Sequence, residues 1–289
     1  MFNKIIITFT AIFCLLICHA NNIKNNVVFA YPNWKLKALS FSYDDAHIAD
    51  RQLVAIFNKY NMKATFHIPH AWLTTKPENR ITEAEINTLY KGHEVAGHGA
   101  NHLPLKKLKK SEVDAEIKAD IDGWKKITGK TIIGYAYPGG SYSQKVISVL
   151  KNNGIIYSRI VGRDTTFSLP ENFLIWTPTS HHTGNISKLG EKYLNLKPEK
   201  MTVMLVWGHS YEFPRKNNWH VIEDFCRQMC GKDDIFYATM EDIASYVTAC
   251  RNAVIANDGK TLKNNSDKRL YFFHKGKKIT VEKNSEYIL

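Results

Sequence analysis

The sequence predicts an α/β fold: a distorted barrel of about seven parallel strands ringed by helices, with a small C-terminal β-hairpin appended. Three observations predict it. From Lys37 to Cys250 short apolar segments alternate with amphipathic stretches, the strand, helix, strand repeat that pairs strands in parallel through right-handed crossovers. Polar and glycine-rich clusters stand at the ends of the apolar segments, where such a barrel collects its functional groups. No glycine-rich phosphate fingerprint is present, which argues against an open dinucleotide-binding sheet.

The elements follow in order. MFNK, the apolar IIITFTAIFCLLI and the small-residue end CHA read as a signal peptide over residues 1–20, cleaved after Ala20. Ile17 is bulky where lipoprotein processing at Cys18 needs a small residue, and the run is short for a spanning helix. The expectation is an exported chain, periplasmic or secreted, with no stable membrane anchor after cleavage. The main domain, 21–250, opens with the strand KALSFSYDD and the helix ADRQLVAIFNKYN, whose apolar residues fall at i, i+3 and i+4. Then come the strand ATFHIPH, the helix ITEAEINTLYKG with a threonine cap, and the strand HEVAGH. The helix KKSEVDAEIKADIDGWKKITG leads to TIIGYAY, the helix QKVISVLKNN and the strand IIYSRIV. Strands FLIWTPT and MTVMLVWGHS, the helix WHVIEDFCRQM, the strand DIFYATM and the helix EDIASYVTAC complete the domain. In 251–289 the polar connector NDGKTLKNNSDK precedes RLYFFHKGKKITVEK, a hairpin with HKGK at its turn.

With 289 residues, 44% of them apolar, the chain has room for one large core and a small appendage. Its net charge of +12 suits an anionic partner: nucleic acid, an acidic lipid surface or a cell-wall polymer. No nucleic-acid-binding signature accompanies the charge, and the lysines are scattered, which reads as a soluble basic surface. Three of the five cysteines remain after signal cleavage. Cys226 and Cys230 share a helical face with parallel side-chain directions unsuited to a bridge. A bond from either to Cys250 stays open beside the default of free buried thiols.

SFSYDDAH places two adjacent carboxylates, Asp44 and Asp45, at the end of a strand. Neighbouring strand side chains point to opposite faces, so both cannot simply be solvated on one polar side, and one has a chemical task. GHGANH spaces His98 and His102 so that both imidazoles can face one point, and two imidazoles with one carboxylate make a common open metal site. HEVAGH is not a zincin helix, because five residues rotate the second histidine about 140° away. His93 and Glu94 are expected in structural roles.

SFSYDDA, GHEVAGHGANH, GYAYPGGSYS and VWGHSYEF, in that order, resemble the successive motifs of the polysaccharide deacetylases, the NodB-type carbohydrate esterases, over roughly Lys35 to Cys250. The resemblance implies a divalent metal, most often Zn2+ with Co2+, Mn2+ or Ni2+ as alternatives, held by Asp45, His98 and His102. It implies Asp44 as the base toward the attacking water, the turn Tyr137, Pro138 and Gly139 as receiver of the oxyanion, and His209 as the acid for the leaving amine. Two departures stand out: Ala46 follows the aspartate pair where glycine is common, and Ala136 stands where an arginine often orients the base. Arg159 is the expected substitute, with Arg163 second. Trp207, Tyr137 and Tyr142 flank the site as sugar-stacking candidates, Trp207 equally as a wall positioning His209. His47 is expected in solvent, and His67, His70, His181 and His182 in the rim or core. The implied activity is metal-dependent removal of N-acetyl groups from a cell-wall or surface glycan. An O-acetyl esterase using the same site, or a non-catalytic glycan-binding domain, are the alternatives.

Overall fold

The computed structural model describes residues 27–289. The expected signal peptide, residues 1–20 with Cys14 and Cys18, lies outside the described residues. In chain order the strands are β1 (Val27–Ala30), β2 (Lys37–Asp44), β3 (Ala64–Ile68), β4 (Glu94–Gly97), β5 (Gly134–Ala136), β6 (Tyr157–Arg159), β7 (Ser180–His181) and β8 (Thr202–His209). They continue with β9 (Ile235–Tyr237), β10 (Val254–Ile255), β11 (Thr261–Asn264), β12 (Leu270–His274), β13 (Lys277–Val281) and β14 (Ser285–Ile288).

The described residues form two compact units. The larger, Lys37–Lys197 with Thr202–Ala244, is the expected distorted barrel. Its strands run in the order β6-β5-β4-β3-β2-β8-β7, all pairs parallel, with β9 added on the first half of β2. β2 is buried along its whole length, the large Leu39, Phe41 and Tyr43 alternating with the small Ala38, Ser40 and Ser42, so both of its faces are covered. The ring closes through one extended segment: Trp176 pairs with Arg159 of β6, and a few residues on, β7 pairs with β8.

Register sets the chemistry. Asp44 is level with His67 on β3 and with His209 on β8, and Ala136 on β5 is level with Arg159 on β6. Polar side chains far apart in sequence therefore reach the C-terminal edge of the sheet together.

The helix Lys110–Thr128 packs Val113, Glu116, Ile117, Asp120 and Trp124 inward at helical spacing, so two acids share its buried face. Gly129, at φ 72°, ends that helix in the left-handed conformation glycine tolerates. Two expected elements differ. FLIWTPT is not a strand: Phe173–Ile175 is a single 3₁₀ turn, and either side of Pro178, which has no N–H, the segment meets the sheet at Trp176, paired with Arg159, and at Thr179, whose N–H donates to the Leu205 carbonyl at 2.8 Å. ITEAEINTLYKG splits into a 3₁₀ turn, Glu83–Glu85, and a short helix, Ile86–Leu89, behind a Thr82–Glu85 capping box.

The smaller unit takes the described residues up to Leu36, Pro198–Met201 and Ser245–Leu289. The expected hairpin is present as β12 and β13, joined at Lys275 and Gly276, both at positive φ, in the manner of a tight two-residue turn. It is joined by β1, and β10, β11 and β14 make a second antiparallel sheet. This unit begins at Ser245, inside the helix Met240–Asn252, and takes in residues before Lys37, whereas the sequence suggested a boundary at 250/251. Cys226, Cys230 and Cys250 are free thiols. Among the described residues no helix is long and apolar enough to cross a membrane.

Candidate active site

Strand alternation alone would send Asp44 and Asp45 to opposite faces. The chain avoids this by leaving the extended conformation: Asp45 has φ 79° and Ala46 φ 50°, a left-handed step that costs L-residues roughly 1–2 kcal/mol each. The step is held by Asp45 N–H donating to the His67 carbonyl at 3.0 Å and Ile81 N–H donating to the Ala46 carbonyl at 2.8 Å. Both carboxylates consequently meet the same imidazole, His98 Nε2 lying 3.8 Å from Asp44 Oδ2 and 4.0 Å from Asp45 Oδ1.

Asp44 is gripped from β6. An Arg159 N–H donates to its Oδ2 while Arg159 Nε donates to Ser42 Oγ at 2.8 Å. Ser42 Oγ in turn lies 3.1 Å from His67 Nδ1. Burial alone would raise the Asp44 pKa, but Arg159 above all, then His98, His209 and His67, hold it well below the usual carboxylate range. Its second oxygen, Oδ1, is buried with no hydrogen-bond partner. Arg163, the second candidate for this grip, sits on the exposed surface.

Asp45, His98 and His102 offer ligand atoms within 4.8 Å of one another. Asp45 Oδ1 lies 3.9 Å from His102 Nε2 and has no hydrogen-bond partner although buried. These separations are too long for hydrogen bonds and leave room for a cation whose ligands sit at about 2.0–2.2 Å. His98 Nδ1 donates to the Ala136 carbonyl at 2.8 Å, which leaves the Nε2 lone pair facing Asp45, the outer-shell arrangement that fixes a ligand imidazole. Burial first, then His98, pushes the His102 pKa down to about 4, so this imidazole is neutral, as a ligand must be. The donor set fits a divalent cation.

The loop carrying both histidines is pinned from the helix Lys110–Thr128. Asp120 accepts from His98 N–H at 3.0 Å, and Glu116 accepts from Asn101 N–H at 2.6 Å and from its side-chain amide at 2.9 Å. Asp120 also faces His70 Nδ1 at 3.1 Å. Gly97 admits this close approach, since a Cβ there would lie 2.8 Å from Asp120.

On the opposite flank His209 Nε2 is 4.0 Å from Asp45 Oδ2, and its Nδ1 is 3.0 Å from Glu212 Oε1. Burial would lower the His209 pKa, but Glu212, Asp44 and Asp45 raise it on balance. Glu212 also meets His181 Nε2 at 3.1 Å and His182 Nε2 at 3.6 Å. Burial works against its charge, yet the three imidazoles hold it far below the ordinary glutamate range. His181, His182 and Glu212 form a second group with metal-ligand spacing.

The turn after β5 departs from expectation. Tyr137 N–H is spent on the Arg159 carbonyl at 3.0 Å, and its buried hydroxyl donates to Leu174 at 2.8 Å. Pro138 has no N–H. Of the three residues only Gly139 keeps a backbone donor outside the sheet pairing; at φ 61°, an added Cβ would meet nothing within 4 Å. Trp207 is a wall: the Arg159 guanidinium lies 4.5 Å from its ring, and His181 and His209 pack on it at 4.8 and 5.9 Å. His93 and Glu94 have structural partners, Ala64 N–H and Asn58 for the first, Thr65 and Tyr157 for the second. His47 is half-buried against Tyr211 rather than in solvent.

The sequence reading did not find roles for Glu212, Ser42, Glu116 and Asp120. Glu212 opens the short helix Glu212–Lys216 directly after β8, and the turn between them brings it beside His209, a contact that neither strand nor helix periodicity signals. Two acids at i, i+4 on an otherwise apolar helix face are the signal for Glu116 and Asp120.

The family model for polysaccharide deacetylase matches residues 33–158. That stretch holds Asp44, Asp45, His98, His102 and the 137–139 turn, and stops just before Arg159. Over that stretch the chain is similar to the polysaccharide deacetylase family. Among solved structures it resembles a candidate polysaccharide deacetylase from Mycobacterium smegmatis, 16% identical, TM-score 0.60, covering 78% of this chain and 94% of that one. It also resembles the esterase-family-4 domain of a multidomain xylanase from the hindgut metagenome of Trinervitermes trinervoides, 13% identical, TM-score 0.52, covering 76% and 94%. A third likeness is a Bacillus anthracis pseudoenzyme of that family in a mutant with restored enzymatic activity, 14% identical, TM-score 0.50, covering 75% and 70%. At these identities the likenesses show the fold. No curated protein matches the sequence.

Proposed function

We propose that this protein is an exported metal-dependent hydrolase that removes N-acetyl groups from a cell-wall or surface glycan. One observation supports the reading most: a three-donor cage of Asp45, His98 and His102 stands between a carboxylate with a free oxygen, Asp44, and an imidazole backed by a carboxylate, His209. Asp45, His98 and His102 would hold a divalent cation, with Zn2+ the best match to a two-imidazole, one-carboxylate set. When bound there, the cation supplies Lewis acidity to the acetyl carbonyl and lowers the pKa of water.

The chain's own groups do the rest. Asp44 receives the proton of the attacking water on Oδ1, because Oδ2 is already held by Arg159. Gly139 N–H faces the oxygen that gains charge as the carbonyl becomes tetrahedral. His209 passes the proton on its Nε2 to the departing nitrogen, while Glu212 keeps Nδ1 protonated and the ring oriented. Trp207 keeps Arg159 in the plane that meets Asp44.

Acetate release from N-acetylglucosamine oligomers, with metal-stripped and metal-replenished protein, tests the proposal. Release that depends on the added ion supports it, and chelator-insensitive release contradicts it. Tight glycan binding with no acetate release under any metal would instead favour a binding domain.

A further inference from the structure

The site has aromatic and cationic neighbours that the hydrolytic scheme does not use. Trp72 packs on the cage residue His102 with ring centroids 4.8 Å apart. Across the site Tyr211 stacks on His209 at 5.0 Å with 28° between planes. Rings in these positions are the natural stacking platforms for neutral sugars. Here both are covered by cations: Lys76 Nζ lies 4.1 Å and Arg80 Cζ 5.0 Å from the Trp72 centroid, and Arg215 Cζ lies 4.4 Å from the Tyr211 centroid. His47 links the two sides, its backbone bridging to Arg80 and its ring packing on Tyr211 at 5.7 Å.

The charges are uncompensated. Neighbouring Arg51 and Lys216 face Glu85 and Glu212, whereas Lys76, Arg80 and Arg215 have no carboxylate partner among the described residues. Arg80 Nε is moreover buried without a hydrogen-bond partner. A pair of rings that holds three cations, and leaves them unpaired, is arranged for negative charge. Arginine in particular presents a fork that matches carboxylate and phosphate oxygens.

We propose that the substrate is an acidic glycan, in which the N-acetylated sugar lies beside a residue bearing a carboxylate or phosphate, and that Lys76, Arg80 and Arg215 read that charge. The proposal rests on the deacetylase reading above for its reaction, but not for its binding.

The test compares three oligosaccharides of equal length: neutral N-acetylglucosamine, N-acetylglucosamine alternating with glucuronate, and phosphodiester-linked N-acetylglucosamine. Acetate release should favour one acidic class over the neutral one by tenfold or more in kcat/KM, mainly through KM. The preference should shrink as salt is raised to 0.5 M. Arg80→Gln and Arg215→Gln should each cut the acidic-to-neutral ratio about fivefold, while Lys151→Gln, a charge-matched change distant in the fold, should leave it intact. A preference for glucuronate or for phosphate identifies the source of the charge. A ratio near one at all salt concentrations, or a ratio that survives removal of both arginines, overturns the proposal. If no oligosaccharide releases acetate, the deacetylase reading fails, and calorimetry on metal-stripped protein still decides this one. Salt-sensitive binding of an acidic oligomer upholds it; equal or absent binding of all three overturns it.

Discussion

Arg159 and Asp44 form a buried ion pair across 115 residues of sequence. Arg159 is 1% exposed and Asp44 4%. Their strands do not pair with each other; β5, β4 and β3 lie between them. The arginine therefore crosses the barrel mouth, supported by the Trp207 ring and anchored on Ser42.

Removing the arginine leaves a buried carboxylate without its partner, a loss of roughly 3–5 kcal/mol in folding stability. Arg159→Gln should therefore lower the midpoint of chemical denaturation and reduce kcat by tenfold or more. Arg159→Lys should not restore either, because a single ammonium cannot reach Ser42 and Asp44 together in the guanidinium's fork. Denaturant titration and acetate-release kinetics check both parts.

Glu212 orients His209 through Nδ1. Glu212→Gln should slow amide hydrolysis about 10- to 100-fold and slow a matched O-acetyl ester much less, since an alkoxide leaves without the full proton an amine requires. Equal losses on both substrates would show that Glu212 serves the fold alone.

Asp120 holds the His98 backbone N–H rather than any of the three ligand atoms. Asp120→Asn should weaken divalent-metal affinity about 10- to 100-fold, as outer-shell changes do, with the fold retained. Competition against a chromophoric chelator measures it.

Two buried carboxyls give the fold a pH dependence. Burial, then Glu241, pushes Glu94 up to about 8, and burial pushes Asp50 up to about 7, against hydrogen bonds from Tyr90 and Ser210 that act the other way. The folded state thus keeps protons that the unfolded chain has already lost, so these groups favour folding most below about pH 4. Their contribution declines as pH rises from about 4, ending near 7 for Asp50 and near 8 for Glu94. Glu94→Gln should flatten the slope of unfolding free energy against pH in that window; an unchanged slope would assign it elsewhere.

Much of this was legible beforehand because β-strand registry is written in the chain. The motifs ending in Asp44 and Asp45, in His98 and His102, and in His209 each close an apolar run, and parallel pairing brings such ends to one edge. The Arg159 grip was foreseeable from the missing arginine at Ala136. Less was readable where function depends on backbone already committed elsewhere: Tyr137 N–H goes to sheet pairing, a fact that appears only once β5 meets β6. Glu212, Glu116 and Asp120 were missed because acids on helices look solvated until the helix face is known to turn inward. The small unit was read as a hairpin because its partner β1 lies near the other end of the chain.

The most direct test measures bound metal and acetate release together in two single variants. Asp45→Ala should lose both the ion and the activity, while Asp44→Asn should keep one full equivalent of metal and release no acetate. An Asp45→Ala protein that binds metal as tightly as the unaltered chain, or an Asp44→Asn protein that still turns over, would contradict the division of labour between these two neighbouring carboxylates.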